Sequence, residues 1–192
     1  MSAPAGTIDR TIGRRRTFFD GGIVAHVSIA DPFCPELSSV LAEVAVAGRL
    51  PVHAGGTYLA IEGPQFSTRA ESALFRSWGA SVIGMTAMPE ARLAREAELC
   101  YACLAMVTDY DVWHEQDGPV TVEGVLANLR AMTDAVQAIV SALAGEALPE
   151  CLSGCGNALA NAIATSPAAI DTVTRERLAP IAARYLEPRS GS

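Results

Sequence analysis

GGTYLAIEGPQFSTRAESALFRSWGASVIGM, residues 55–85, decides the fold. An apolar run over Thr57–Ile61 is broken by Glu62-Gly63-Pro64. Helical spacing then runs from Thr68 to Trp78, and a second apolar, β-branched run follows over Ser81–Met85. Strand, sharp turn, helix, strand is the unit from which a parallel sheet with helices on its faces is assembled. Working outward, the same alternation continues. Gly22–Ile29 reads as a strand ended by Asp31-Pro32, and Pro35–Gly48 as an amphipathic helix with apolar residues at positions 37, 40, 41, 44 and 45. Pro89–Glu98 reads as a helix and Tyr101–Thr108 as a further strand. The last third differs: Val122–Leu143 carries one long helical pattern, expected to lie across the sheet. A Cys/Gly/Asn segment and short helices over Ala158–Ala164 and Val173–Tyr185 come after it. The expectation is an α/β, three-layer α/β/α fold with a mixed central sheet, in a single domain over residues 1–192.

Composition narrows the function. The chain has 192 residues, 50% of them hydrophobic and 18% charged, with 14 Lys+Arg against 21 Asp+Glu for a net charge of −7. A chain this apolar folds around a core, and its acidic balance argues against a nucleic-acid partner. Apolar runs stop short of the ~20 residues a bilayer requires, and no apolar stretch follows the basic residues near the N-terminus. These features imply no membrane partner and a cytoplasmic location. Five cysteines without a secretory signal read as reduced thiols. Cys100 and Cys103 form a CxxC, but in an apolar strand positions three apart face opposite ways, so a structural reading is preferred to a metal or redox pair. Cys151 and Cys155 lack a matching second pair, and no metal site is assigned. Arg14-Arg15-Arg16 reads as a solvated turn. No P-loop, GxGxxG, HExxH or GxSxG motif is present.

Ligands of open α/β sheets collect at the carboxyl ends of strands. Four places there carry chemistry. In Glu62–Arg69, Phe66 offers a flat face to a heteroaromatic ring. In Gly84–Glu90, the Thr86 hydroxyl and backbone N–H groups precede a helix start suited to an anion. Thr108-Asp109-Tyr110-Asp111 places two carboxylates at the mouth of an apolar pocket, where one could act as general acid toward a ring nitrogen or simply cap a turn. His26 stands in an apolar run as either a core histidine or a ligand.

As a set, IDRT (8–11), FFDG (18–21), HVSIADPFCPEL (26–37), GGTYLAIEGPQFSTRAES (55–72), WGASVIGMTAMPEARLAREAELCYA (78–102) and MVTDYDVWH (106–114) resemble the S-methyl-5′-thioadenosine phosphorylases of the trimeric purine nucleoside phosphorylase superfamily. The resemblance spans most of residues 8–145 and implies a nucleoside phosphorylase-like fold truncated at the N-terminus. The family's N-terminal Gly-rich strand, Arg-His phosphate motif and second phosphate loop have no counterpart before Ile8. It implies phosphorolysis of 5′-methylthioadenosine to adenine and 5-methylthioribose 1-phosphate in purine and methionine salvage. Inorganic phosphate is the co-substrate, no cofactor is needed, and the assembly is a homotrimer. By the same resemblance Thr108, Asp109 and Asp111 meet the adenine, one of the two aspartates protonating N7. Phe66 and Ser67 line the purine pocket, Met85 lies against the ribose and Thr86 binds phosphate. Val122 and Val125 wall the methylthio group, and His26 reaches a neighbouring subunit's site. Two carboxyls suit a 6-aminopurine, because both can accept from an N6–H donor. A purine nucleoside phosphorylase of broader specificity and a non-catalytic adenine-nucleoside-binding fragment are the alternative readings. Missing N-terminal strands would leave a sheet edge and part of the core uncovered.

Overall fold

The computed structural model describes residues 1–114, 121–145 and 148–186. Its centre is a parallel pairing of the N-terminal segment with residues 53–61. Strand β1 (Ser2–Ala3) pairs with β3 (His53–Ala54), and β2 (Gly6–Arg10) pairs with β4 (Thr57–Ile61). Both ladders keep one register, Ser2 opposite His53 and Arg10 opposite Ile61, so they are two stretches of a single pairing. The break falls where Pro4 offers no N–H and where Gly55 and Gly56 both adopt φ of 85°. The Ala5 and Gly6 amides then both donate to Gly56 O. On the other side β4 pairs in parallel with β5 (Ala80–Gly84), giving the order β2-β4-β5. β4 is central, which explains why Tyr58, Leu59 and Ala60 are all buried and why this strand reads as a continuous apolar run.

Helix α1 (Pro35–Ala47) starts with Pro in its first turn and is closed at Gly48, whose N–H donates to Val44 O. Helix α2 (Arg69–Ser77) opens with a capping box: the Thr68 hydroxyl accepts from the Glu71 amide at 3.2 Å, and the Glu71 carboxylate accepts from the Thr68 amide at 2.8 Å. Helix α3 (Ala87–Glu96) packs on β4, with Phe33, Tyr58, Ala60, Ala87, Met88 and Ala91 forming one buried cluster. Helix α4 (Val122–Gly145) and α5 (Thr172–Leu186) complete the set, with short 3-10 turns at Cys155–Asn157 and Pro167–Ala169.

Several expectations are corrected. Gly22–Ile29 forms no strand. Its pairing is a single antiparallel bridge of Ala25 to Ile163, flanked by His26 N donating to Ala162 O and Ala164 N to Val24 O. Residues 101–108 likewise make one antiparallel bridge, Ala105 to Ser2. The ladders are therefore parallel, and the antiparallel character expected of a mixed sheet is confined among the described residues to those bridges. Helix α4 packs against α1 rather than lying across the sheet. Residues 158–164 are turns rather than a helix, because the segment spends its backbone groups on residues 24–26. β1 goes unread in the sequence because Ala, Pro and Gly dominate the first six residues, and β2 because Ile8 is the one apolar side chain in Gly6–Arg10.

A second core cluster joins Phe19 and Ile23 to Leu159, Ala162, Ile170, Leu178, Ala182 and Leu186, fastening the C-terminal segment to the 17–27 loop. A groove of about 680 Å³ lies between α1 and the β1/β3 pair, lined by residues such as Ala3, Phe33, Ala42 and Val46. Among the described residues, no helix is long and apolar enough to cross a membrane.

Candidate functional site

Three loops at the carboxyl side of the sheet are tied together by side chains from elsewhere. The loop after β4, Glu62–Thr68, and the loop after β5, Met85–Thr86, share one anchor, Arg14. Its guanidinium donates to Glu62 O at 2.8 Å and to Met88 O at 2.7 Å, with further bonds to Met85 O and Ile61 O. Arg14 Nε also lies 3.2 Å from Glu62 Oε1. The Ile12 and Gly13 amides donate to the other Glu62 oxygen. These bonds hold the Glu62 carboxyl below the usual carboxylate range, the Ile12 amide contributing most. This corrects the reading of Arg14-Arg15-Arg16 as a solvated turn: Arg15 is exposed, but Arg14 is half-buried and binds two site loops at once. The loops also touch directly, since a Cβ on Gly63, at φ of 70°, would lie 2.6 Å from Met85 Sδ.

The third loop is held by one face of α2. Arg69, Ser72 and Arg76 are spaced three and four apart and so share a face. Arg69 Nη1 donates to Val112 O at 2.9 Å, the buried Ser72 hydroxyl donates to Asp111 Oδ2 at 2.6 Å, and the Arg76 guanidinium sits 4.0 Å from the Trp113 ring centroid. Asp109 closes the turn on itself, Oδ1 accepting from the Asp111 amide at 2.9 Å and Oδ2 from the Thr108 hydroxyl at 2.8 Å. Asp111 adopts φ of 60° in this turn. Asp109 is exposed, rather than set at the mouth of an apolar pocket.

The remaining residues take the following places. Phe66 is 47% exposed, a ring presented to solvent rather than a core side chain, and Ser67 beside it is half-buried. Met85 is half-buried behind Gly63. Thr86 precedes α3 yet makes no side-chain cap bond, so its hydroxyl is not consumed by the helix. Its amide faces the Tyr58 hydroxyl at 3.4 Å. Val122 is exposed and Val125 half-buried on the first turn of α4. Asn128, one turn on, donates to Thr108 O at 2.5 Å and so brings the start of α4 to the aspartate turn. His26 is exposed on the segment bridged to Ile163, not packed in a core. Arg14, Ser72, Arg76 and Asn128 are what the sequence reading missed. The α2 face was open to it as a polar stripe, whereas nothing in the local sequence marks Arg14.

Metal-ligating groups gather elsewhere. The Sγ atoms of Cys34, Cys100, Cys151 and Cys155 all lie within 4.8 Å of one another. Cys34 and Cys100 are the second pair that Cys151 and Cys155 lacked in the sequence. Cys103 instead packs against the Met88 cluster, so the CxxC cysteines do part company, but not through strand geometry, since residues 101–108 form no strand, and Cys100 joins the thiol group rather than a structural core. Burial pushes the Cys34 and Cys103 thiols up, Cys103 to about 11. Burial also opposes ionisation of Cys151, but the Cys155 amide and the neighbouring thiols outweigh it and bring that group down to about 7.

The chain is similar to proteins of known structure and function. The S-methyl-5′-thioadenosine phosphorylase of Chloroflexus aurantiacus is 52% identical over 183 residues, covering 95% of this chain and 64% of that protein. A crystal structure of a methylthioadenosine phosphorylase from an Antarctic soil metagenomic library superposes with a TM-score of 0.85 at 42% identity, covering 94% of this chain and 64% of that one. The Schistosoma mansoni methylthioadenosine phosphorylase in complex with adenine gives a TM-score of 0.77 at 28% identity, over 85% of this chain and 66% of that one. The chain thus spans between about half and two-thirds of the length of the curated relatives it matches. The profile of the phosphorylase superfamily matches residues 2–144, and the chain belongs to that superfamily.

Proposed function

We propose that this chain carries the purine and ribose side of a 5′-methylthioadenosine phosphorylase site. The observation that carries the reading is the joining of the Glu62–Thr68, Met85–Thr86 and Thr108–Asp111 loops by Arg14 and by the α2 face. In the reaction, a phosphate oxygen forms a bond to C1′ as the bond from C1′ to the purine nitrogen breaks. The electron pair passes into the purine ring, and a proton delivered to N7 yields neutral adenine. Asp109 or Asp111 supplies that proton while the other accepts from the N6 amine. Ser72 holds one Asp111 oxygen and leaves the second for the base. Phe66 stacks on the purine with Ser67 at its edge, Met85 packs on the ribose, and the Thr86 hydroxyl meets phosphate. Val122 and Val125 form the apolar wall for the methylthio group. That wall favours a thioether over a 5′-hydroxyl, which would be buried unpaired.

In this reading the enzyme works in purine and methionine salvage in the cytoplasm, without a cofactor. It works as a homotrimer, to which the exposed His26 contributes across the interface. The test is adenine release from methylthioadenosine by the purified chain, with and without phosphate, beside calorimetric binding of adenine. Phosphate-dependent release is expected. Adenine binding without release would mean that the chain recognises the purine but lacks the phosphate side of the reaction. Neither binding nor release by a folded chain would overturn the reading.

A further inference from the structure

We propose that Cys34, Cys100, Cys151 and Cys155 form a closed tetrathiolate site for a zinc ion that pins the C-terminal segment to the sheet domain. The four sulfurs come from three separate stretches: the residue before α1, the loop after α3, and the Cys151-Leu-Ser-Gly-Cys155 turn. That turn has the short Cys-x3-Cys spacing of structural zinc sites, and its Gly154 adopts φ of 75°, the left-handed conformation that brings both ends of a tight turn to one ion.

Distance argues for a single ion. Zinc with four thiolates at ~2.3 Å makes a tetrahedron of edge about 3.8 Å. Cys34 Sγ lies 3.9 Å from Cys151 Sγ, and no pair among the four exceeds 4.8 Å. A small contraction closes the tetrahedron, whereas a cubane iron–sulfur cluster would have to spread the sulfurs well apart. With four protein ligands and no open position, such a site is structural rather than catalytic.

The surroundings supply support and one opposing charge. Arg95 Nη1 lies 3.3 Å from Cys155 Sγ, and Cys34 stands at the N-terminus of α1; both offset the two negative charges of a zinc tetrathiolate. Glu36 Oε2 lies 3.2 Å from Cys34 Sγ, a contact in which the thiol donates. On metal binding that proton leaves with the other three thiol protons, four in all against one divalent ion. The Glu36 carboxylate keeps its remaining donors, the Leu152 amide at 3.1 Å and the Ser153 hydroxyl at 2.8 Å. Those same bonds dock the Cys151–Cys155 turn against α1 before any metal arrives.

The test uses the full reduced chain. Expected are one zinc per chain by elemental analysis and four of the five thiols shielded from a disulfide reagent until a chelator is added. Cobalt substitution should then give the sulfur-to-metal charge-transfer and strong visible bands of a tetrahedral tetrathiolate. Cys100→Ser, at an exposed position, abolishes stoichiometric metal, while Cys103→Ser retains it. The wild-type cobalt spectrum decides the question even where a serine variant folds poorly. Five freely reactive thiols with no metal uptake would overturn the site, as would two intrachain disulfides in a zinc-free chain, or equal metal loss from Cys103→Ser.

Discussion

The two aspartates of the third loop differ in what already holds them. Asp109 spends both oxygens on its own turn, while Asp111 has one oxygen on Ser72 and one free. Replacing Asp109 by Asn keeps the size and most of the turn but removes an ionisable proton. Turnover of methylthioadenosine should fall by about 10²-fold or more, with the circular dichroism spectrum unchanged; wild-type turnover would show that Asp109 does not serve the leaving group. Arg14 acts differently, since it touches carbonyl oxygens rather than a substrate. Arg14→Leu strands the Met88 and Glu62 carbonyls and should cost about 1–3 kcal/mol in urea unfolding. Arg14→Lys should recover only part, because an ammonium cannot fork to both loops. The contrast explains what was legible. Phe66, Thr86 and the aspartates stand in local turns whose chemistry is written in neighbouring residues. Arg14 finds its partners 47 to 74 positions away, a distance over which sequence pattern carries no signal.

At the scale of elements, α2 does two jobs. Its capping box fixes where the helix begins, immediately after the Phe66 loop, and its Arg69-Ser72-Arg76 face fixes the aspartate loop. Ser72→Ala removes a buried donor to a carboxylate, and kcat/KM should fall roughly tenfold, the equivalent of ~1.5 kcal/mol. Thr substitution at the same place should restore much of the loss, an outcome that a purely steric role would not produce. The start of α1 is titratable. Glu36 is held down to about 2 by its own backbone amide first and then by Ser153 and Cys34. A carboxyl lowered on folding stabilises the native state above its unfolded value of ~4.3, and that stability is lost as pH falls through the folded value. In the metal-free chain the Glu36→Gln variant should therefore be less stable than wild type at neutral pH and converge with it near pH 2, as thermal melts in the presence of a chelator across that range would show. The helices α1, α2 and α3 were readable from their periodicity because each buries one face. Residues 22–29 and 101–108 look like strands for the same apolar reason, yet each finds a single bridge in place of a ladder.

The whole molecule is two cores joined by charged clasps. One lies between β4 and α3. The other is built by Phe19 and Ile23 from the N-terminal third and by six residues beyond position 158. The superfamily match ends at residue 144, so the second core draws most of its apolar surface from outside it. Glu98 links the two regions, accepting from the Leu159 amide at 2.9 Å and the Tyr185 hydroxyl at 2.7 Å and pairing with Arg184. Glu96, buried two residues earlier, accepts from the Thr17 hydroxyl and the Phe18 amide and so holds the loop on which the C-terminal segment rests. Helix α3 spans the distance between the two regions, beginning at the Thr86 loop and ending at these clasps. Leu178 is fully buried in the second core, and Leu178→Ala should cost about 2–5 kcal/mol if the two cores unfold together. The check is urea unfolding followed at once by far-ultraviolet circular dichroism and by tryptophan fluorescence, since Trp78 and Trp113 both lie on the sheet side. Coincident transitions shifted by the mutation mean one cooperative unit. A tryptophan transition left in place while part of the helical signal melts early would mean that the C-terminal segment folds on its own account, and that the site loops do not depend on it.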